Sequence, residues 1–412
     1  VPGSARPADE EFAWRKKDAK LNKAAPGAGL GRFARSNRVT GNISSEETME
    51  GPRAPFENEL PTVVQFLDSN LRPSEGWSIT SEYPLAFADS NIANLRIIKD
   101  DEQVLSHALM RPMILKTPAG LFKVAGIGSV VTSDSHRNQG LSTKTIDSCL
   151  EAARAHGCDF AILWTSLHDF YRRMGFELGG TEVSIAIDHD FDPAPGGELK
   201  FMDTNRIAPE ALHRLYSQHT VTSLRTVDET RKNLQIPNTR VYTAWDKFGA
   251  LKAYAIEGKG ADLTATVHEW GGGVSALLPL LAHIRKTQGR AISIIVPQHS
   301  GNLIRTLEAK GFIAHRGYLG MIKILNTANL FAKIRRHARN LGVESFALEE
   351  RDGRFYFGTE AGIFSTDSEQ DLVKLIFGPH KASEIHSFDA KTAEALERVL
   401  PINLWIWGWD SV

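Results

Sequence analysis

The stretch Gly128-Ser-Val-Val-Thr-Ser-Asp-Ser-His-Arg-Asn-Gln-Gly140-Leu-Ser-Thr143 decides how this chain is read. It ends an apolar run, Leu121–Thr132, that reads as a strand. It also opens a helix, Leu141–His156, whose Ile146, Cys149, Leu150 and Ala153 return to one face. A polar loop with a single glycine, Ser133–Gly140, joins the two. The first amides of a helix have no intrahelical acceptor and point at whatever stands before them. With the helix dipole they make an anion site, Gly140 permits close approach to the backbone, and Arg137 adds a charge that can grip phosphate through two hydrogen bonds. One glycine and one arginine also suit a plain strand-to-helix turn, so spacing alone leaves both readings open.

Working outward, the spacing of Leu60, Val63, Val64 and Leu67 predicts a helix over Glu57–Leu71. Asn94–Ile98 and Val104–Leu115 precede Leu121–Thr132 as strands, with a turn at 116–120. Beyond the central helix come a strand at Phe160–Trp164, a short helix at Asp169–Met174 and strand material at Glu177–Ile187. Antiparallel strands followed by a β-α-β unit make an α+β domain, whose natural ligand position is where the central strand hands over to its helix.

After the linker Phe191-Asp-Pro-Ala-Pro-Gly-Gly197 the plan returns. An apolar helix starts at Val274, Gly289 follows, and Ile292–Val296 reads as a strand. Thr306-Leu-Glu-Ala-Lys-Gly-Phe312 then stands where Tyr171-Arg-Arg-Met-Gly-Phe176 stood. Two copies of one supersecondary unit imply tandem domains of the same fold. After Asn326, a basic helix (Leu330–Leu341), three short strands (Glu344–Glu350, Arg354–Gly358 and Gly362–Thr366) and two helices (Asp371–Phe377 and Lys391–Leu400) read as a small third α+β module. It ends on Leu404-Trp-Ile-Trp-Gly-Trp-Asp-Ser-Val412. The expected divisions are therefore 1–44, 45–190, 191–326 and 327–412.

Composition excludes several classes. The 412 residues suggest two or three domains at about 150 each. Lys+Arg total 48 against 49 Asp+Glu, which argues against a general nucleic-acid binder. Hydrophobic residues at 42% and charged residues at 24% exclude a mostly disordered chain. No apolar run approaches the roughly 20 residues of a membrane span, so no membrane partner is expected. Cys149 and Cys158, the only two cysteines, are too few for a disulfide scaffold and point to a reducing cytoplasm. Cys149 falls on an apolar helix face, and packing is the expected role of both. The first 38 residues carry nine Lys+Arg and four Asp+Glu, without the apolar region of a secretory signal, and read as part of a flexible basic leader. His136, His168 and His268 show no metal-ligand spacing, so surface or core roles, and no metal, are expected.

The segment Arg137-Asn-Gln-Gly140-Leu-Ser142 resembles the Arg/Gln-x-x-Gly-x-Gly/Ala loop of the GNAT superfamily of N-acetyltransferases, which binds the coenzyme A pyrophosphate. The resemblance covers Pro52–Asp188. It includes Phe170-Tyr-Arg-Arg-Met-Gly-Phe176, similar to that family's F-Y-x-x-x-G-F element. Ser142 replaces the usual Gly or Ala, and a hydroxyl adds little bulk. The whole arrangement, tandem GNAT folds with a mixed, mostly antiparallel sheet plus a sterol-carrier-like C-terminal α+β module, resembles the enhanced-intracellular-survival (Eis) acetyltransferases.

That resemblance implies acetyl-CoA as co-substrate and a primary amine as acceptor, an aminoglycoside-like molecule, a polyamine or a lysine side chain. It also implies a homo-oligomer, with a hexamer as one form. Ser129, Val130 and Val131 would line the pantetheine arm and Arg137, Asn138, Gln139, Gly140, Leu141 and Ser142 the pyrophosphate, while Ser166 would either face the sulfur or cap the helix that follows. Tyr171 would be the proton donor, a phenol near pKa ~10 facing a thiol near ~8.5. The terminal carboxylate of Val412 would enter the site as proton acceptor or as an attraction for ammonium. The second unit should bind no coenzyme A, because Glu269-Trp-Gly-Gly-Gly273 lacks the arginine and brings an acid expected to repel phosphate. Glu82, Glu269 and Asp410 are the candidate acids for a cationic acceptor. A non-catalytic acyl-CoA or lipid-binding protein is the competing reading.

Overall fold

The structure, a computed structural model, describes residues 49–193 and 197–412. The expected leader, 1–44, lies outside the described residues. The first unit contains β1 (Met49–Arg53), α1 (Leu60–Leu71), α2 (Ile79–Glu82), β2 (Leu95–Asp100), β3 (Gln103–Thr117) and β4 (Gly120–Thr132). It continues through α3 (Leu141–Ala155), β5 (Phe160–Leu163), α4 (His168–Arg172) and β6 (Glu177–Ile187). The second unit runs through β7 (Leu199–Asp203), α5 (Pro209–Tyr216), β8 (Thr222–Ser223), α6 (Val227–Asn233), β9 (Arg240–Asp246), β10 (Leu251–Lys259) and β11 (Asp262–Gly272). It ends with α7 (Val274–Gln288), β12 (Ile292–Pro297), α8 (Gly301–Ala309) and β13 (Ala314–Ile324).

These strands form one continuous sheet in the order β1-β2-β3-β4-β5-β13-β6-β12-β11-β10-β9-β7, with β8 beside β3. The two units exchange their last strands. β13 pairs antiparallel with β5, placing Ile322 opposite Ile162, while β6 crosses over to pair with β12, placing Ile185 opposite Ile294. Local periodicity marks both strands but not their partners, and the boundary near Phe191 therefore separates sequence units that share one sheet.

The two faces of the first unit's sheet are covered differently. On one, Ile146, Cys149, Leu150 and Ala153 of α3 pack on Ala108, Met110, Ala125 and Ile127. On the other, Val63 and Leu67 of α1 meet Ile97 and Val104, and Leu95 and Leu109 meet Tyr83, Phe87 and Val412. The remaining elements are α9 (Thr327–Asn340), a separate three-stranded sheet of β14 (Ala347–Arg351), β15 (Arg354–Thr359) and β16 (Gly362–Thr366), and then α10 (Glu369–Phe377), α11 (Ala382–Ile385) and α12 (Ala390–Val399). Phe377 of α10 packs its ring 4.9 Å from Phe160 of β5, joining this module to the large sheet. A strap, residues 401–412, then returns along the molecule with Leu404, Trp405, Ile406, Trp407 and Trp409 buried. No helix among the described residues is long and apolar enough to cross a membrane.

Candidate active site

The site lies where β4 parts from β5. Their parallel pairing covers only Val124 with Phe160, Ala125 with Ala161 and Gly126 with Ile162, after which β5 stops at Leu163 and β4 continues to Thr132. Past Gly126, β4 thus has no neighbour on that side and leaves a wedge whose backbone groups are free of that ladder. On its other side, β4 pairs with β3 through a bulge between His107 and Leu109. Ser129, at the bulge, has φ +48°, a left-handed conformation that a non-glycine residue adopts only when its surroundings impose it.

A buried histidine imposes it here. Nδ1 of His107 lies 2.8 Å from the Ser129 carbonyl, and since a carbonyl only accepts, Nδ1 carries the proton. Burial pushes the imidazole down to about pKa 4, so it stays neutral, and Nε2 has no partner among the described residues. In a trans peptide the following N–H points opposite the carbonyl, so fixing the Ser129 carbonyl fixes the Val130 N–H away from the imidazole. His107 is not among the residues expected at the site from the sequence. Its signal was a polar pair, Ser106-His107, inside the apolar run from Val104 to Met110. If the histidine sets this peptide, His107→Asn should keep kcat within about threefold, because its amide can replace Nδ1. His107→Leu should lower it at least tenfold at unchanged Kd for acetyl-CoA. Equal rates in the two variants would dismiss the role.

The wedge opens onto the start of α3. Gly140 caps that helix in the left-handed conformation, φ +76° and ψ 6°, which favours glycine. No side chain caps the helix and no acid occupies its first turn. The first amide to reach back is that of Lys144, to the Gly140 carbonyl at 3.1 Å, so those of Leu141, Ser142 and Thr143 precede the helical ladder. Arg137, Asn138, Gln139 and Gly140 are all exposed, leaving the corner open. Arg137 is 2.7 Å from Asp134, an exposed pair that an arriving phosphate can displace at small cost. Ser142 turns its hydroxyl to Thr132 at 2.7 Å, and Thr132 is 2.9 Å from Ser106. The departure from Gly or Ala thus ties the helix to the end of β4.

Tyr171, on α4, is buried in the cluster that contains Ile127 and Leu163, with Val130 packed against it. Phe170 and Phe176 hold its ring edge-on at 4.9 and 5.8 Å. Burial pushes the phenol up to about pKa 12, well above the ordinary value for tyrosine. Ser166 is exposed in the turn after β5, and Thr165 supplies the hydroxyl that receives the Leu167 amide, at 3.0 Å.

Val412 approaches β4 from the face opposite α3. A Cβ built on Gly128 would lie 2.7 Å from the Val412 carbonyl carbon, and one on Gly126 2.8 Å from its Cγ2. The strap therefore rests directly on the bare strand at the opening of the wedge.

Other expected participants lie elsewhere. Glu82 is fully buried and accepts from Arg72 at 2.6 Å, Trp77 at 2.6 Å and the Ala261 amide at 2.7 Å. Glu269 faces no phosphate: it is buried in a two-pronged pair with Arg225 at 3.0 and 2.9 Å. What closes the second unit is tryptophan. β11 and β12 pair in parallel only at Thr266 and Val267, and beyond them the Trp270 indole donates to the Ile295 carbonyl across the wedge, at 3.3 Å. Trp407 of the strap packs against Trp270 at 5.3 Å. Gly271 there serves close packing, a Cβ on it falling 2.5 Å from the Tyr254 ring.

His268 is buried and held near pKa 3, by burial above all. His136 bonds Ser133 and Ser135 at 2.9 Å, and His168 opens α4. The Cys149 and Cys158 thiols are pushed up by burial to about 12 and 11, which leaves them inert. A separate cleft of about 630 Å³ lies in the C-terminal module between α9 and β14.

Residues 82–179 match the family model of the acetyltransferase (GNAT) domain. This stretch takes in β2 to β5, the opening of β6 and the loop before α3, and the chain therefore carries an acetyltransferase domain of the GNAT type. Solved structures share the fold over most of the chain. A GCN5-related N-acetyltransferase from Kribbella flavida aligns with TM-score 0.60 at 13% identity, over 90% of this chain and 100% of its own. A conserved protein of unknown function from Enterococcus faecalis V583, described as a probable N-acyltransferase, gives 0.62 at 14%, over 86% and 97%. Eis1 from Mycobacterium abscessus gives 0.51 at 13%, over 77% and 90%. No curated protein matches the sequence.

Proposed function

We propose that the protein transfers acetyl from acetyl-CoA to the primary amine of a small molecule or a lysine side chain, aminoglycoside-like and polyamine acceptors included. One observation carries this reading: β4 runs on past the end of its pairing with β5 and leads to a helix start with no side-chain cap and no acid in its first turn. The residues suit the co-substrate. The amides of Leu141 to Thr143 with Arg137 to Gly140 would hold the diphosphate, and Ser129 to Val131 would meet the pantetheine arm through backbone groups. Acetyl-CoA supplies an activated acyl group on a leaving thiolate. The Val130 N–H, oriented through His107, is placed to polarise the acyl carbonyl. Tyr171 donates its hydroxyl hydrogen toward the departing sulfur.

On the opposite face, Val412 confronts the incoming amine. Where the chain ends at this residue it presents a carboxylate, which attracts ammonium and takes up its proton directly or through water. The C-terminal module, sterol-carrier-like by resemblance, has on this reading the structural role of delivering the strap.

A thiol-release assay with acetyl-CoA and a panel of aminoglycosides, polyamines and lysine peptides tests the proposal, alongside calorimetry of acetyl-CoA binding. Binding and release with at least one amine are expected. Binding without release across the panel would favour the non-catalytic acyl-CoA reading, and absence of binding would remove both.

A further inference from the structure

We propose that the second unit is a holdfast for the strap: Lys259 and the Arg225–Asp410 pair position residues 408–411, and through them Val412, on the face of β4 opposite α3. The inference rests on the reading of that face as the acceptor side.

The strap meets cations from both units. Lys259, at the end of β10, is buried and directs its ammonium at the Gly408 carbonyl at 2.9 Å, the Ser411 carbonyl at 2.7 Å and the Ser411 hydroxyl at 3.0 Å. All three donors are thus satisfied by the strap, and the ammonium also lies 4.4 Å from the centre of the Tyr83 ring, which packs on the acceptor face. Arg225 reaches Asp410 at 2.8 Å while keeping both bonds to Glu269, and the Tyr216 hydroxyl donates to the same Asp410 at 2.9 Å. From the first unit, Arg111 of β3 donates to the Asp410 carbonyl at 3.1 Å. The Trp407 indole donates to the Val221 carbonyl at 3.2 Å.

Burial opposes ionisation of Asp410, but Arg225 and Arg111 outweigh it and hold the carboxyl below its ordinary range. Every side-chain anchor named here except Arg111 thus comes from a unit whose own wedge is closed by Trp270 and Trp407. That unit bonds Trp407, Gly408, Asp410 and Ser411 of the strap, and Val412 then rests on the sheet of the first unit.

Two variants approach the clamp from its two sides. Asp410→Ala removes the strap's carboxylate and leaves Arg225 paired with Glu269, so the second unit keeps its buried salt bridge. Lys259→Met keeps the stem and removes the donors. In full-length protein, hydrogen exchange at the amides of residues 404–411 should accelerate tenfold or more in each. kcat should fall at least thirtyfold, with Kd for acetyl-CoA within twofold, and Asp410→Asn should recover part of the loss. Exchange unchanged within twofold in both variants would overturn the clamp. Loosened exchange with unchanged kcat would overturn its positioning role. If the wild type releases no thiol with any amine, the functional reading fails, and the exchange measurement still decides whether the clamp exists.

Discussion

Replacing Gly128 by alanine should lower kcat about 10²-fold while Kd for acetyl-CoA stays within threefold. The added Cβ would sit 2.7 Å from the Val412 carbonyl carbon, 3.1 Å from its oxygen and 3.2 Å from its Cβ. Carbon atoms prefer about 3.5–4.0 Å, and overpacking of this kind costs typically 1–3 kcal/mol, so the strap must lift from β4. Gly128 sits outside the left-handed region, so alanine itself fits the strand and the clash falls on the strap. Displacing a positioned group by about 1 Å is enough to cost two orders of magnitude.

Gly126→Ala is the control on the same face. Its Cβ would meet Val412 Cγ2 at 2.8 Å and Met113 Cε at 3.1 Å, both ends of side chains that can turn away. A loss of less than fivefold is expected there. Steady-state kinetics and calorimetry on the pair decide the matter: equal losses, or a loss of acetyl-CoA affinity at Gly128, would detach the strap from the chemistry.

The sequence disclosed what local physics controls. The helical spacing of Ile146, Cys149, Leu150 and Ala153 located α3 within one residue of its observed end, and the polar loop before it located the wedge. Long-range pairing was not legible. Glu177–Ile187 reads as a strand from its own pattern, but nothing in that pattern says that its partners are β12 and β13, more than a hundred residues on. Strand partners follow from which faces need covering across the whole molecule, and a period of two is silent on that.

Charge misled for the same reason. Glu269 beside three glycines looks like a deterrent to phosphate until Arg225, 44 positions earlier, is found holding it. The tryptophans at 270 and 407 that close the second wedge look, in sequence, like ordinary core residues. Asp410 looked like an acid for a cationic acceptor and is instead a buried anchor of the strap.

Tyr171→Phe should cost kcat about 10²-fold with little change in thermal stability. The hydroxyl has no hydrogen-bond partner among the described residues, so removing it leaves no buried group newly unsatisfied, and Phe preserves the ring contacts with Phe170 and Phe176. The rate effect follows from a hydrogen bond to the charge developing on the departing sulfur, and loss of one such donor costs about 10²–10³-fold. With the phenol pushed up to about 12, complete transfer to a thiolate near pKa ~8.5 is uphill by about 3.5 units, or about 5 kcal/mol. On the proposed reading, Tyr171 would therefore act chiefly as a hydrogen-bond donor that keeps its proton, and solvent would return the thiolate to the thiol afterwards.

The same elevation sets the pH profile. A phenol of ordinary pKa would begin to lose its proton by about pH 9, bending the rate downward. One held near 12 stays protonated, so kcat/KM should climb as the acceptor ammonium, near pKa ~10.4 for a lysine-like amine, deprotonates, with no descending limb up to pH 10. A kcat for Tyr171→Phe within threefold of wild type would end the assignment. A descending limb below pH 10 that vanishes in that variant would instead show a titrating acid and place the proton in flight.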